Sequence, residues 1–102
     1  MAAHRYRLTP AALRDLETIW RYSAEVWSLE QADRYITGLT LAFDTIAANP
    51  KLARERQEYV PPVRIHRYQA HIVIYRIGDD DVIIIRVRHG SEDWASDPSG
   101  ST

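Results

Sequence analysis

Six side chains that can carry charge or move a proton crowd into one stretch of the chain: Arg64, Arg67, Arg76, Arg86, Arg88 and His89. Guanidinium groups are planar forks of donors that match the oxygens of a carboxylate or a phosphate. An imidazole beside them can take up or release a proton near neutral pH. These types together suit either the binding of an acidic peptide or the handling of an RNA phosphate. The competing reading is a solvated face neutralised from within, with Glu92, Asp93 and the acidic turn at 78–81 as counter-charges.

Other chemistries are excluded or poorly supported. The chain has no cysteine, so disulfides, thiolate-bound zinc and thiol nucleophiles are ruled out, and a reducing compartment suits it. Glycines 38, 78, 90 and 100 form no phosphate-cradling loop, and no G-x-S-x-G elbow is present. The histidines at 4, 66, 71 and 89 lack metal-ligand spacing. His66 and His71 flank an expected turn and could approach each other, but ordinary hairpin residues are the better reading. No cofactor or metal is expected.

Thirteen Lys and Arg stand against fourteen Asp and Glu, a formal charge of −1, which disfavours a general nucleic-acid binder. The distribution is uneven. Residues 51–90 hold eight cations against five acids, a net of +3, whereas residues 91–102 carry only Glu92, Asp93 and Asp97, a net of −3. Twelve of the cations are Arg, which suits bidentate recognition or simply GC-rich coding. With 45% hydrophobic and 26% charged residues, the 102-residue chain reads as one globular domain over residues 1–96, followed by a flexible tail at 97–102. No apolar leader follows Met1, and apolar runs such as 82–85 fall far short of the ~20 residues of a membrane span, so a cytoplasmic protein is expected.

The elements that must position these groups are legible from periodicity. Residues 5–8 alternate as a short strand. Thr9-Pro10 reads as N-cap and first helical residue, opening an amphipathic helix of about 17 residues through Leu13, Leu16, Ile19, Trp20 and Ala24. Ser28 and Gln31 have capping-box spacing and begin a second helix, whose stripe of Ala32, Tyr35, Ile36, Leu39, Ala42, Phe43 and Ile46 stops at Asn49-Pro50. The short link predicts an antiparallel hairpin. Trp20, Trp27, Tyr35 and Phe43 are expected in the core. Trp94 either plugs back onto the helices or stands out as an anchor for a partner.

After an irregular stretch at 51–62, ending in Pro61-Pro62, three strands follow as a meander with turns near 69–70 and 78–81. Alternation places Val63, Ile65 and Arg67 on one face of the first, with Arg64 and His66 opposite. It places Arg86 and Arg88 together on the last strand, opposite Val87 and His89. If Val82 and Ile84 point the same way as Arg86 and Arg88, that face is apolar at one end and basic at the other. The fold class is α+β: an N-terminal strand and an antiparallel α-helical hairpin packed on one face of a small antiparallel sheet.

The series of motifs resembles the ParE toxins of the ParE/RelE superfamily. It runs from Tyr-Arg-Leu-Thr-Pro-Ala-Ala-Leu-Arg-Asp-Leu-Glu at 6–17, with Ile19-Trp20, through Ala32, Tyr35-Ile36 and Asn49-Pro50. It then continues into the strands at 63–68 and 71–76 and closes on Ile85-Arg86-Val87-Arg88-His89-Gly90 and Asp93-Trp94. The resemblance covers roughly residues 5–95. It implies the toxin of a type II toxin–antitoxin module that inhibits DNA gyrase by binding. Its partner would be a ParD-type ribbon-helix-helix antitoxin, and operator DNA would be reached only through that antitoxin.

The RelE branch of the same superfamily implies the alternative, a ribosome-dependent mRNA endoribonuclease. Such cleavage needs a general base, an acid and cations for the phosphate, places that Arg64, Arg67, Arg86 and His89 could fill. Against it, Gly90-Ser91 follows His89 where a tyrosine would be expected, lysine is nearly absent and the tail is acidic. On the gyrase reading no residue is catalytic. The expected target-facing residues are Arg86, Arg88, His89 and Trp94, and the expected antitoxin-binding residues are Arg14, Arg21, Tyr22, Arg64 and Arg67.

Overall fold

The computed structural model describes residues 5–99; His4, the remainder of residues 1–4 and the end of the expected tail, residues 100–102, lie outside the described residues. Chain order is β1 (Tyr6–Leu8), α1 (Pro10–Val26), α2 (Leu29–Ala48), a 3-10 turn (Pro50–Leu52), β2 (Arg64–Tyr68), β3 (His71–Ile77) and β4 (Val82–His89). Both helices start where the caps predict. Thr9 Oγ1 accepts the Ala12 N–H and Ser28 Oγ the Gln31 N–H, each at 3.0 Å. The Thr9 hydroxyl also donates to the Ile85 carbonyl at 2.7 Å, so the residue that opens α1 also pins it to β4.

The sheet order is β1-β4-β3-β2. The meander is antiparallel as expected, while β1 joins β4 in parallel, which makes the whole sheet mixed. A parallel neighbour needs a crossover, and the chain from β1 returns to β4 only after both helices and two strands. The helix pair covers one face. Its core joins Ala12, Ile19, Leu39, Phe43 and Ile46 to Val73, Tyr75, Val82, Ile84 and Val87. Tyr75 is fully buried and gives its hydroxyl proton to the Pro50 carbonyl at 2.6 Å, tying the end of α2 to the sheet.

Two expectations about aromatic residues fail. Trp27 is 72% exposed and Trp20 is 36% exposed, so neither is core, while Phe43 is buried and Tyr35 half-buried. Trp27 occupies the C-cap position of α1, in the turn beyond the last residue that the sheet can cover. Trp20 follows buried Ile19 by one residue, a rotation of about 100° that carries it to the rim. There its indole N–H donates to Asp33 across the hairpin at 2.8 Å. Trp94 takes neither of its expected places. It packs on the sheet face away from the helices, with Tyr59, against the cluster of Val63, Ile72 and Ile74.

Gly38 of α2 is where the helices meet the edge strand: a β-carbon there would land on the Tyr68 hydroxyl. In an exposed helix Gly→Ala is worth about 1 kcal/mol of stabilisation. Gly38→Ala is expected to reverse that sign and lower the melting temperature, and to become stabilising once Tyr68 is also alanine. Thermal melts of the two single variants and the double variant check this.

Candidate functional site

The basic end of β4 is built around a break in the ladder. Arg86 pairs with Ile74 and Ile84 with Tyr75, which leaves Ile85 as an extra residue and a bulge at that point. The bulge inverts the alternation that period two predicts. Val82 and Ile84 therefore share the helix-facing side with Val87, while Ile85 packs on the outer cluster. Arg86 and Arg88 stand in register with Ile74 and Ile72, both of the outer cluster, so Val82 and Ile84 do not share a face with them.

Past Ile84, β4 has lost its β1 neighbour, and α1 supplies the missing partner. Asp15 Oδ2 accepts the Val87 N–H at 2.9 Å, and the same carboxylate receives Arg86 Nε at 2.7 Å and Nη2 at 2.8 Å. The two side chains are only 15% and 19% exposed. This bidentate pair raises the affinity of the Arg86 guanidinium for its proton, the Asp15 hydrogen bonds being the largest cause. Arg86 Nη1 also donates to the Ser99 carbonyl, and Arg88 Nη1 to the Asp97 carbonyl at 2.6 Å. The first residues of the expected tail thus lie against the sheet.

On the helix side, a cleft of about 690 Å³ opens between the hairpin and the ends of β3 and β4. Tyr22, Trp27 and Ile19 form its apolar wall, and Tyr35, His71 and His89 its polar floor. The Tyr35 hydroxyl lies 2.6 Å from His71 Nδ1, and the His71 and His89 rings meet edge to face at 5.1 Å between centroids. His89 Nδ1 accepts the Ser91 N–H at 3.0 Å, which leaves the proton of the neutral ring on Nε2. Glu92 Oε1 takes the His89 backbone N–H at 2.8 Å.

Burial holds the His71 pKa below its ordinary value of 6.5, and the neighbouring His89 lowers it further, against weaker opposing effects of Glu92 and Asp15. A histidine with a depressed folded-state pKa binds its proton more readily when unfolded. Its contribution is therefore retained above about 6.5 and lost as pH falls from there through the folded value. His66, also lowered by burial, acts in the same direction. Replacing His71 with glutamine is expected to flatten the loss of stability just below pH 6.5 relative to the wild type. Urea midpoints measured across that window check it, with His66→Gln separating the second contribution.

The target-facing residues expected from sequence are brought close in part. Arg88 and Trp94 lie on the outer face, whereas the Arg86 guanidinium reaches Asp15 and lines the cleft with His89. The expected antitoxin residues do not form one surface. Arg14, Arg21 and Tyr22 are exposed on α1. Arg64 Nη1 is engaged with the Ala53 carbonyl at 2.6 Å, and Arg67 lies over Gly90 on the outer face. His66 stands opposite Val73 and His71 opposite Tyr68, and the imidazole in ring contact with His71 is that of His89. Asp15, Tyr35 and His71 were not among the expected site residues; their partners lie 71 and 36 positions away, and no local spacing announces them.

Among the described residues, no group of three or more His, Asp or Glu side chains is placed to hold a metal, and no helix is long and apolar enough to cross a membrane. The family described as "ParE toxin of type II toxin-antitoxin system, parDE" matches residues 6–94. Toxin ParE1 of Mycobacterium tuberculosis is 37% identical over 86 residues, 83% of this chain and 88% of that protein. Toxin ParE1 of Caulobacter vibrioides is also 37% identical, over 84% of this chain and 88% of its own length. A solved structure titled "Chromosomal ParDE TA system from P. aeruginosa" shares the fold, with a TM-score of 0.70 at 18% identity, covering 85% of this chain and 98% of the other. The chain belongs to the ParE toxin family of type II toxin–antitoxin systems.

Proposed function

We propose that this toxin acts by binding DNA gyrase, without catalysis, and that a ParD-type antitoxin neutralises it. The observation that carries this reading over RNA cleavage is the separation of the would-be catalytic groups. His71 and His89 open into the cleft, whereas Arg67 and Arg88 lie on the opposite face of the sheet. Arg86, which lines the cleft with the histidines, is held by both oxygens of Asp15. A general base and a set of available phosphate-binding cations therefore do not converge on one point, as cleavage by an RNA 2′-hydroxyl would require.

Binding of a partner is supported by the apolar rim of the cleft, where Tyr22 and Trp27 are 63% and 72% exposed. Large exposed aromatic and aliphatic groups beside a cleft are the anchors that a protein partner buries. The antitoxin, rather than the toxin, would carry the contacts to operator DNA, in keeping with a toxin whose formal charge is −1. Purified toxin is expected to block gyrase supercoiling, and stoichiometric antitoxin to restore it. Unimpaired supercoiling together with ribosome-dependent mRNA cutting that His89→Ala abolishes would overturn the proposal.

A further inference from the structure

The floor of the cleft presents two hydrogen-bond donors that the fold does not use. The Tyr35 hydroxyl lies 2.6 Å from His71 Nδ1, closer than an N–H donor normally comes, so the phenol donates and the proton of the neutral His71 ring sits on Nε2. His89 Nδ1 accepts from Ser91, the N–H at 3.0 Å and the hydroxyl at 2.6 Å, which puts its ring proton on Nε2 as well. The two rings stand edge to face with centroids 5.1 Å apart. Among the described residues neither Nε2 meets an acceptor, and the buried side-chain donor without a partner is Arg88 Nε, so both imidazole N–H groups are open to solvent.

A third polar group is held at the cleft at a conformational cost. Tyr68 pairs with His71, so Gln69 and Ala70 alone form the turn between β2 and β3, and Gln69 has a φ of 50°. Glycine adopts that left-handed region freely, whereas a residue with a side chain is strained there, and such strain gathers at sites that use the side chain. Gln69 lines the cleft, and its Nε2 donates to the Tyr68 hydroxyl at 3.2 Å, which leaves Oε1 as an acceptor. Beside these groups the exposed rings of Tyr22 and Trp27 offer flat apolar faces. Charge is weighted against an anion: Arg86 is matched by Asp15, and Glu92 adds a carboxylate to the lining.

We propose that the cleft is a binding site for a free, uncharged pyrimidine nucleoside of the uridine or thymidine type. Its two ring carbonyls accept the Nε2–H protons of His71 and His89, its ring N–H donates to Gln69 Oε1, and the ring stacks on Trp27. The carbonyls of an imide flank the N–H along one edge, at a separation comparable to that of the two imidazoles. Cytosine and adenine turn an amino group toward the same donors, and opposed donors leave both unsatisfied. The rim is shared with the surface proposed above to meet a protein partner, but the test uses no partner, so the two readings can fail separately.

The test is calorimetric titration of the full chain at pH 7.5 with thymidine, cytidine, N3-methylthymidine and thymidine 5′-monophosphate. Thymidine is expected to bind with a Kd of about 1 mM or tighter, the range a ligand of its size reaches in a fitted site. Cytidine and N3-methylthymidine should bind about tenfold more weakly, each having lost one matched hydrogen bond, and the monophosphate should bind no tighter than the nucleoside. Trp27→Ala, at an exposed position, should weaken thymidine about tenfold while leaving the melting temperature unchanged. Gln69→Gly should raise the melting temperature and yet weaken thymidine about tenfold, an opposition that misfolding cannot produce. Equal affinity for thymidine and cytidine, binding indifferent to Gln69→Gly or to Trp27→Ala, a preference for the monophosphate, or no binding of thymidine would each overturn the proposal.

Discussion

Asp15→Ala is expected to cost about 3 kcal/mol of folding stability, because a partly buried guanidinium is then left without its carboxylate and a strand N–H without its acceptor. In a domain of this size that corresponds to a fall in melting temperature of roughly 12–24 °C. The expectation rests on three bonds to one side chain: two from Arg86 and one from the Val87 N–H, all at 2.7–2.9 Å. Asp15→Asn keeps one acceptor oxygen for Val87 and loses the charge, so its cost should be clearly smaller. In an Arg86→Met background the Asp15→Ala cost should shrink, since no guanidinium remains to be orphaned. Urea unfolding of the four variants measures the cycle. A cost below about 1 kcal/mol for Asp15→Ala would mean that the pair behaves as an ordinary surface ion pair.

The carboxylate also explains how a helix replaces a strand. From Tyr6 to Leu8, β1 occupies the open side of β4, and Thr9 continues that role through bonds to Ile84 and Ile85. Asp15 takes over at Val87, so the end of β4 that carries Arg86, Arg88 and His89 is fixed by a side chain. Loss of Asp15 should therefore loosen this end first. Amide exchange at Val87 should accelerate more than at Val82, whose N–H is held by the Arg5 carbonyl.

The second large effect is expected at Phe43. The ring is fully buried and meets Tyr6 edge to face at 5.3 Å, linking α2 to the N-terminal strand. Phe43→Ala removes buried apolar surface and leaves a cavity that a two-layer core cannot close, a cost of about 3–5 kcal/mol. Small domains hold only about 5–15 kcal/mol in total, so the variant should be near or beyond the limit of folding at 37 °C. Phe43→Leu, which refills most of the volume, should recover a large part of the loss. Calorimetric melting of both variants checks the order; equal melting of Phe43→Ala and wild type would show that the core relaxes around the gap.

What could be read along the chain is local. Thr9-Pro10, Ser28 with Gln31, and Asn49-Pro50 each satisfy or terminate a helix end within a few residues, so both helices were legible. The acidic turn at 78–81 and the alternation of β2 and β3 likewise need only near neighbours, and the motif series over 5–95 was enough to place the chain beside the ParE toxins, which residues 6–94 confirm.

The candidate site was not legible in the same way. Arg86 is conspicuous by residue type, but its partner Asp15 is 71 positions away, and nothing in the local spacing of α1 marks it out. The bulge at Ile85 turns Val82 and Ile84 toward the helices, and nothing in their own order of residues signals that one extra residue has no opposite number on β3. Trp27 and Trp94 show the same limit, since an apolar side chain reports only that burial is favourable and not which surface is within reach. Local order thus set the elements, their ends and the family. Which face each charge and ring serves was settled by long-range packing: β1 lying parallel to β4, a helix carboxylate completing a strand edge, and the Asp97 carbonyl meeting Arg88. Hydrogen bonds of caps and turns close within a few residues, whereas sheet edges and buried charges are satisfied only by whatever the folded chain brings beside them.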